Sequence, residues 1–274
     1  MSTGTGYVLG HHDPEVERLL LQGRLYRGHT EHALRQAGLE PGMRVLDVGC
    51  GPGDVSIAAA HLVGPAGSVT GVDAQASILD LAAQRAAGAG LSNVTFRHAA
   101  IEELDAPRPF DAVIGRLILM HLPDPAAALR RLAGLVRPGG LVSFQDFDVS
   151  GARSAPEISL FDRVRDIIVQ AFRGAGATTE TGTALPGLFH AAGLPMPALT
   201  MGACLGPLSD PDILGFVMGV WRALLPVAVQ LGLDVGDLAD LDRLPARLVA
   251  EATEAGAIAI LPPLVSAWAR VPTV

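Results

Sequence analysis

The sequence predicts an α/β protein: a doubly wound, mostly parallel seven-stranded sheet with a helical segment before it and a helical insert near its end. Two observations carry this reading. Short β-rich runs alternate with helical stretches from residue 45 to residue 144, which is the pattern of consecutive βαβ units. The 274 residues also suffice for one large domain, or one domain with a sizeable insert.

Residues 14–37 read as a helix, with Val16, Leu19, Leu20 and Leu25 on its buried side. Val45–Val48 reads as a strand covered on both faces. Ser68–Val72, Val94–Arg97, Ala112–Gly115 and Leu141–Phe144 follow as strands, with helices near 54–64, 75–88 and 125–137 between them. Asp124 and Pro125 are an N-cap and a first helical residue, and Arg137-Pro138-Gly139-Gly140 is a stop. Beyond 150, residues 155–173 and 181–192 read as helices and Pro195–Leu205 as a strand. Asp210–Leu231 is a strongly apolar helix, another helix lies near 241–255, and Val265–Val271 is a last strand. The expected organisation is an N-terminal helical cap (1–35), a ligand-binding core (36–150) and a part that completes the sheet (151–274), with a helical lid at about 206–256.

Composition excludes several classes. The net charge of -8 and a pI near 5.4 oppose binding to a phosphate backbone. Aromatics at 4% leave few platforms for base stacking, so no nucleic-acid partner is expected. The chain contains no lysine, which removes Schiff-base, pyridoxal-phosphate and Walker-A chemistry. Mean hydropathy is high, at +0.37, yet no apolar run approaches the 18 residues of a membrane span. The first ten residues lack the basic-then-apolar pattern of a leader. Two cysteines, Cys50 and Cys204, fit a reducing compartment. A cytoplasmic protein without a membrane partner is therefore expected. His11-His12-Asp13 has no second ligand pair, so no metal is expected.

The most informative stretch is Val45-Leu46-Asp47-Val48-Gly49-Cys50-Gly51-Pro52-Gly53-Asp54. A strand enters a turn with glycines at 49, 51 and 53, and a helix starts at about 54. Glycine permits positive φ and close approach of backbone to a ligand, and the helix start adds free N–H groups. Twenty residues past Gly53, Asp73 ends the next strand, where an acid can accept hydrogen bonds from ribose hydroxyls. The constellation points to an adenosine ligand. A dinucleotide fingerprint would place its third glycine at 54, where this chain has aspartate. Asp54 also sets negative charge where a pyrophosphate would lie, and Asp47 adds an acid before the turn. An ammonium and a sulfonium suit these acids better than phosphates do.

These motifs resemble a known family. Val45–Gly53 resembles motif I of the class I S-adenosylmethionine-dependent methyltransferases, and Gly71-Val72-Asp73 resembles their ribose-binding acid. Phe110–Arg116 with Leu119-Met120-His121-Leu122-Pro123-Asp124-Pro125 resembles the fourth-strand motif, and Leu135–Gly140 the turn into the fifth strand. The resemblance covers about residues 40–150. It implies a Rossmann-like methyltransferase fold, S-adenosylmethionine as cofactor and S-adenosylhomocysteine as product. It further implies methyl transfer to an O, N or C atom; the acidic composition and the apolar C-terminal insert point to a small, largely apolar metabolite, of the secondary-metabolism kind, as the acceptor. One departure stands out: the acid that many members carry after the third strand is Ala100 here. Adenine is then expected on backbone groups and the Ile101 side chain, unless Glu102 takes over.

The cofactor set expected from these motifs is Asp47, Gly49, Gly51, Gly53, Asp73, Ala74, Ala100, Ile101 and Arg116, with Tyr7 and Gln22 from the N-terminal segment. Catalytic candidates sit at strand ends, where open α/β sheets bind ligands. Arg116 ends the fourth strand and can meet the cofactor's methionine end or an acidic group. His121 in the next loop is a candidate base or a cap, and Asp146 ending the fifth strand is a candidate base or anchor. Phe216, Met218 and Trp221 are expected to wall an apolar pocket, or to pack in the core. A helix apolar all round must bury more than one side, so a homodimer seam there is also expected. The rival readings are a cyclisation or rearrangement that keeps the same cofactor, a nucleotide-dependent oxidoreductase, and a methyltransferase acting on nucleic acid or protein.

Overall fold

The computed structural model describes residues 13–273. The chain divides into two units. A sheet unit comprises Tyr26–Asp146, Gly182–Met201 and Val265–Val274; a helical unit comprises Met1–Leu25, Phe147–Thr181 and Gly202–Leu264. Helix α1 (Asp13–Gln36) contributes to both.

The sheet unit holds β1 (Arg44–Val48), α2 (Asp54–Val63), β2 (Ser68–Asp73), α3 (Ala76–Gly88), β3 (Val94–His98), β4 (Phe110–Arg116), α4 (Pro125–Ala133) and β5 (Val136–Phe147). Further along the chain come β6 (Arg153–Ala155), α5 (Ser159–Gly174), α6 (Thr181–Ala191), β7 (Ala198–Gly202), β8 (Leu205–Pro207), α7 (Pro211–Gln230), α8 (Leu244–Ala255), β9 (Ile258–Ile260) and β10 (Leu264–Arg270). The seven-stranded sheet has the order β3-β2-β1-β4-β5-β10-β7. Strands β3 to β5 are parallel. Val271 exchanges backbone bonds with Gly139 and Gly140, so the end of β10 lies against the start of β5 and the two run antiparallel. The order reverses between β1 and β4, the switch point at which open α/β sheets bind ligands.

The expected sheet is present, and its two faces are filled by separate apolar clusters. Leu34, Val45, Val55, Ala59, Val63, Ala112 and Ile114 join α1, α2 and the sheet on one side. Leu46, Val113, Leu129, Phe144, Leu185 and Phe189 join α4, α6 and the sheet on the other. The expected helix 125–137 stops at Ala133, because the Leu135 carbonyl is taken by the Phe110 N–H and Val136 opens β5.

The helical unit departs from expectation in three ways. The buried stripe of α1 is not Val16, Leu19, Leu20 and Leu25, which are only half-buried, but Glu15, Arg18 and Gln22. Arg18 donates to Glu15 at 2.6 and 2.8 Å and to Gln22 at 2.9 Å, so these polar groups satisfy one another out of water. Second, the segment 195–205 does not form one strand: β7 joins the large sheet, while β8 pairs with β9 and β9 with β6 in a small antiparallel sheet. Three-residue strands show no periodicity from which to infer them. Third, α7 is long and apolar enough, by length and composition, to cross a membrane, since only Asp212 and Arg222 interrupt it. Several of its side chains are buried: Phe216 meets Phe147 edge-on at 6.4 Å, and Trp221 donates to the Leu238 carbonyl at 3.0 Å.

Gly71 in β2 tests the packing of the sheet. A Cβ there would lie 2.7 Å from Phe96 and 2.8 Å from the Ser56 hydroxyl. Gly71→Ala is expected to cost about 1–3 kcal/mol of stability by overpacking, read as a lower urea midpoint with unchanged slope.

Candidate active site

The turn after β1 builds one wall of the site. Gly49, Gly51 and Gly53 have φ of 67°, 49° and 85°, a region that L side chains rarely adopt. Gly49 and Cys50 both donate to the Val72 carbonyl at 2.9 and 3.0 Å, which hooks the turn onto β2. A Cβ on Gly49 would strike Ile118 at 2.8 Å, whereas one on Gly51 would meet nothing within 4 Å. Backbone at Gly51 is thus bare toward open space.

Asp73 is fixed by two backbone donors: Gly51 N–H reaches its Oδ2 at 2.8 Å and Gln75 N–H its Oδ1 at 2.9 Å. The acid at the end of β2 and the glycine turn are therefore one bonded assembly. Asp54 behaves differently from expectation. Arg85 of α3 pairs with it at 2.7 Å, so its charge is balanced inside the unit. The argument against a pyrophosphate then rests on the glycine spacing and on Asp47.

Asp47 lies beneath the turn and is 1% exposed. Its Oδ2 accepts from Ser56 at 2.5 Å, while its Oδ1 is buried without a hydrogen-bond partner. Burial pushes the carboxyl up to about 7; Ser56 and the charge of Arg116 pull it down, and Asp73 and Asp54 raise it further. An unpaired buried carboxylate oxygen on the strand that leads into the glycine turn suits a cationic amine. With Asp73 for ribose, this donor set fits S-adenosylmethionine. Cys50 in the same turn is buried, and burial pushes its thiol up.

Next to β1, Arg116 ends β4. It donates to the Thr30 hydroxyl at 3.0 Å, and Thr30 donates to Gln145 Oε1 at 2.9 Å. Burial lowers the Arg116 guanidinium from its ordinary value, and Asp54 and Asp47 oppose that shift. Leu117 follows with φ of 58°, the sole non-glycine residue with positive φ among the described residues. This conformation costs about 1–2 kcal/mol and turns the chain so that Ile118 packs on Gly49. The 3-10 turn Leu119–His121 comes next. Asp146 is fully buried and accepts from the Met120 N–H at 3.2 Å, so it braces the turn that carries His121.

After β2, the Ala74 carbonyl faces Nε2 of His98, the last residue of β3, at 3.0 Å. Ala100 N–H donates to Glu103 at 3.2 Å and Ile101 is buried. The sheet unit thus brings together Asp47, the glycine turn, Asp73 and Arg116 at the C-terminal ends of adjacent strands, with Ala74, Ala100 and Ile101 following β2 and β3. Gln22, Phe216, Met218 and Trp221 are buried in the helical unit, and Tyr7, His11 and His12 lie outside the described residues. Ser56, Thr30, Gln145 and Arg131 escaped the sequence reading. Ser56 and Thr30 each interrupt an apolar helical stripe, Ser56 with Ala59, Ala60 and Val63, Thr30 with Tyr26, Ala33 and Leu34. That interruption is the signal that could have found them.

The buried Asp47 sets a pH dependence. Its folded pKa lies above the unfolded value of 3.8, so between the two the folded state holds a proton that the unfolded chain has lost. Stability of the ligand-free protein should fall as pH rises from about 4 to about 7, by at most about 4 kcal/mol, and stay level above. Asp47→Asn should remove this slope and raise stability at pH 8, measured by urea unfolding across that range.

Comparison with known proteins agrees with this geometry. The family described as "Methyltransferase domain" matches residues 39–172. The ubiquinone biosynthesis O-methyltransferase of Paracidovorax citrulli is 40% identical over 111 residues, covering 39% of this chain and 45% of that protein. The ubiquinone/menaquinone biosynthesis C-methyltransferase of Pseudomonas fluorescens is 33% identical over 155 residues, 56% of this chain and 58% of that protein. The chain therefore spans about half the length of these relatives. A Haemonchus contortus phosphoethanolamine N-methyltransferase, solved with phosphomonomethylethanolamine and S-adenosylhomocysteine, superposes with a TM-score of 0.55 at 17% identity. It covers 90% of this chain and 53% of that one. In its sheet order, its glycine turn and the matched segment 39–172, this chain is similar to S-adenosylmethionine-dependent methyltransferases.

Proposed function

We propose that the protein transfers a methyl group from S-adenosylmethionine to a small, largely apolar acceptor of the phenol or quinol class. The observation that carries the cofactor half is the unpaired, buried Asp47 oxygen on the strand that leads into the open glycine turn at Gly51. The relatives' quinone-pathway names support the acceptor class, and the acidic, lysine-free composition argues against nucleic acid.

S-adenosylmethionine, when bound, supplies an electrophilic methyl group on a sulfonium. In this reading Asp47 receives the ammonium, Asp73 the ribose hydroxyls, and the backbone at Ala100 with Ile101 the adenine. Arg116, held by Thr30, adds positive charge at the end of β4 for a carboxylate or a phenolate oxygen. His121 takes the proton that an acceptor hydroxyl gives up as its oxygen becomes methylated, and Asp146 positions His121 through the Met120 N–H. Within the helical unit, Trp221, wholly buried and bonded to Leu238, is assigned to packing.

Calorimetric titration of the full chain with S-adenosylhomocysteine tests the cofactor half. Micromolar binding is expected, lost on Asp73→Ala, and weakening as pH falls below about 7 because Asp47 must release its proton to meet an ammonium. No binding by folded, ligand-free protein, or binding unaffected by Asp73→Ala, would overturn it. Labelled S-adenosylmethionine with short-chain hydroquinones and catechols tests the rest. His121→Ala should lower kcat at least about a hundredfold while leaving S-adenosylhomocysteine affinity unchanged. Conversion of an acceptor without label transfer would favour the cyclisation or rearrangement reading.

A further inference from the structure

Adenine recognition poses a problem in this chain. The residue after β3 that could offer a carboxylate to the exocyclic amino group is Ala100, so the base falls to backbone groups and the Ile101 side chain, with Glu102 as the alternative. Backbone reads a base only as accurately as the backbone is held. The 3-10 turn Ile101–Glu103 that follows closes on two bonds of its own, Glu103 N–H to the Ala100 carbonyl at 3.1 Å and Leu104 N–H to the Ile101 carbonyl at 3.3 Å. The second is long for a backbone hydrogen bond.

Arg131, in the last turn of α4, supplies what the turn lacks. Its Nε donates to the Ile101 carbonyl at 2.8 Å, and one terminal nitrogen donates to the carbonyls of Glu102 at 2.5 Å and Leu104 at 2.8 Å. Three carbonyls of one short turn converge on a single rigid fork of donors. Among the described residues no carboxylate forms an ion pair with Arg131, so this guanidinium is committed to backbone oxygens. The end of α4 also favours a cation at that place.

We propose that Arg131 is a positioning residue for adenine recognition, fixing the backbone of residues 101–104 in place of the acidic side chain that position 100 lacks. The proposal rests on the reading of the glycine turn as the S-adenosylmethionine site. Lysine, a point charge without the fork, can hold only part of the turn.

The test is calorimetry of the full chain with S-adenosylhomocysteine and with S-inosylhomocysteine, whose 6-oxo group replaces the 6-amino group. Wild type, Arg131→Gln, Arg131→Lys and Asp73→Ala are compared, and each variant's melting temperature is recorded. Arg131→Gln should lose about tenfold in S-adenosylhomocysteine affinity, ~1.4 kcal/mol, and most of the preference for adenine over hypoxanthine. Arg131→Lys should fall between, and keeps the test open if the glutamine variant does not fold. Asp73→Ala should weaken both ligands equally and preserve the preference. Arg131 variants that keep affinity and preference, or that weaken both ligands equally, would overturn the proposal. Wild type that binds neither ligand would instead overturn the cofactor reading, and this proposal with it.

Discussion

A carboxylate buried beneath a glycine turn is the constraint on which the site depends. Asp47 sits in a strand flanked on both sides by other strands, so water cannot reach it. One oxygen is satisfied by Ser56, and that bond requires α2 to start at once after the turn, with its third residue facing the sheet. The bond also requires a neighbouring strand without a side chain where Ser56 comes down, and Gly71 meets that need. The turn between them must then reverse the chain in few residues, which only a run of positive φ allows. Strand, turn, helix start and neighbouring glycine are thus consequences of placing one acid at the floor of the site.

The same logic extends along the strand ends. Arg116, Thr30 and Gln145 form a chain of donors and acceptors in which each hydroxyl or amide has a fixed sense: Thr30 accepts from Arg116 and therefore gives its proton to Gln145. Asp146 does the equivalent for the turn carrying His121. The loops that would meet an acceptor are held by side chains rooted in rigid strands, and the one strained residue, Leu117, lies where the chain leaves β4 toward them. Buried polar groups on strands hold loops to ångström accuracy because leaving them unpaired costs about 1–3 kcal/mol each.

The helical unit follows a different principle. Its portion of α1 buries charge rather than leucine, since Glu15, Arg18 and Gln22 satisfy one another within two turns of helix. A close-set polar triad of this kind can occupy a core-facing stripe that hydropathy alone would give to solvent. Helix α7 shows the converse: apolar enough for a bilayer, it still presents Phe216 and Trp221 to partners within its own unit.

The sequence by itself determined the parallel sheet, the glycine turn, Asp73 as its acid partner and the absence of an acid at position 100. These depend on strand and helix periodicity, on backbone conformations that glycine alone adopts freely, and on short spacings within one βαβ unit. Tertiary structure alone decided that Asp54 would be neutralised by Arg85, 31 residues away, and that Arg131 would reach back about 30 residues to clamp the turn after β3. It also decided that three-residue strands at 153, 205 and 258 would find one another. Each of these is a pairing between groups distant in sequence, and local pattern does not encode which distant partner a polar group or a short strand will meet.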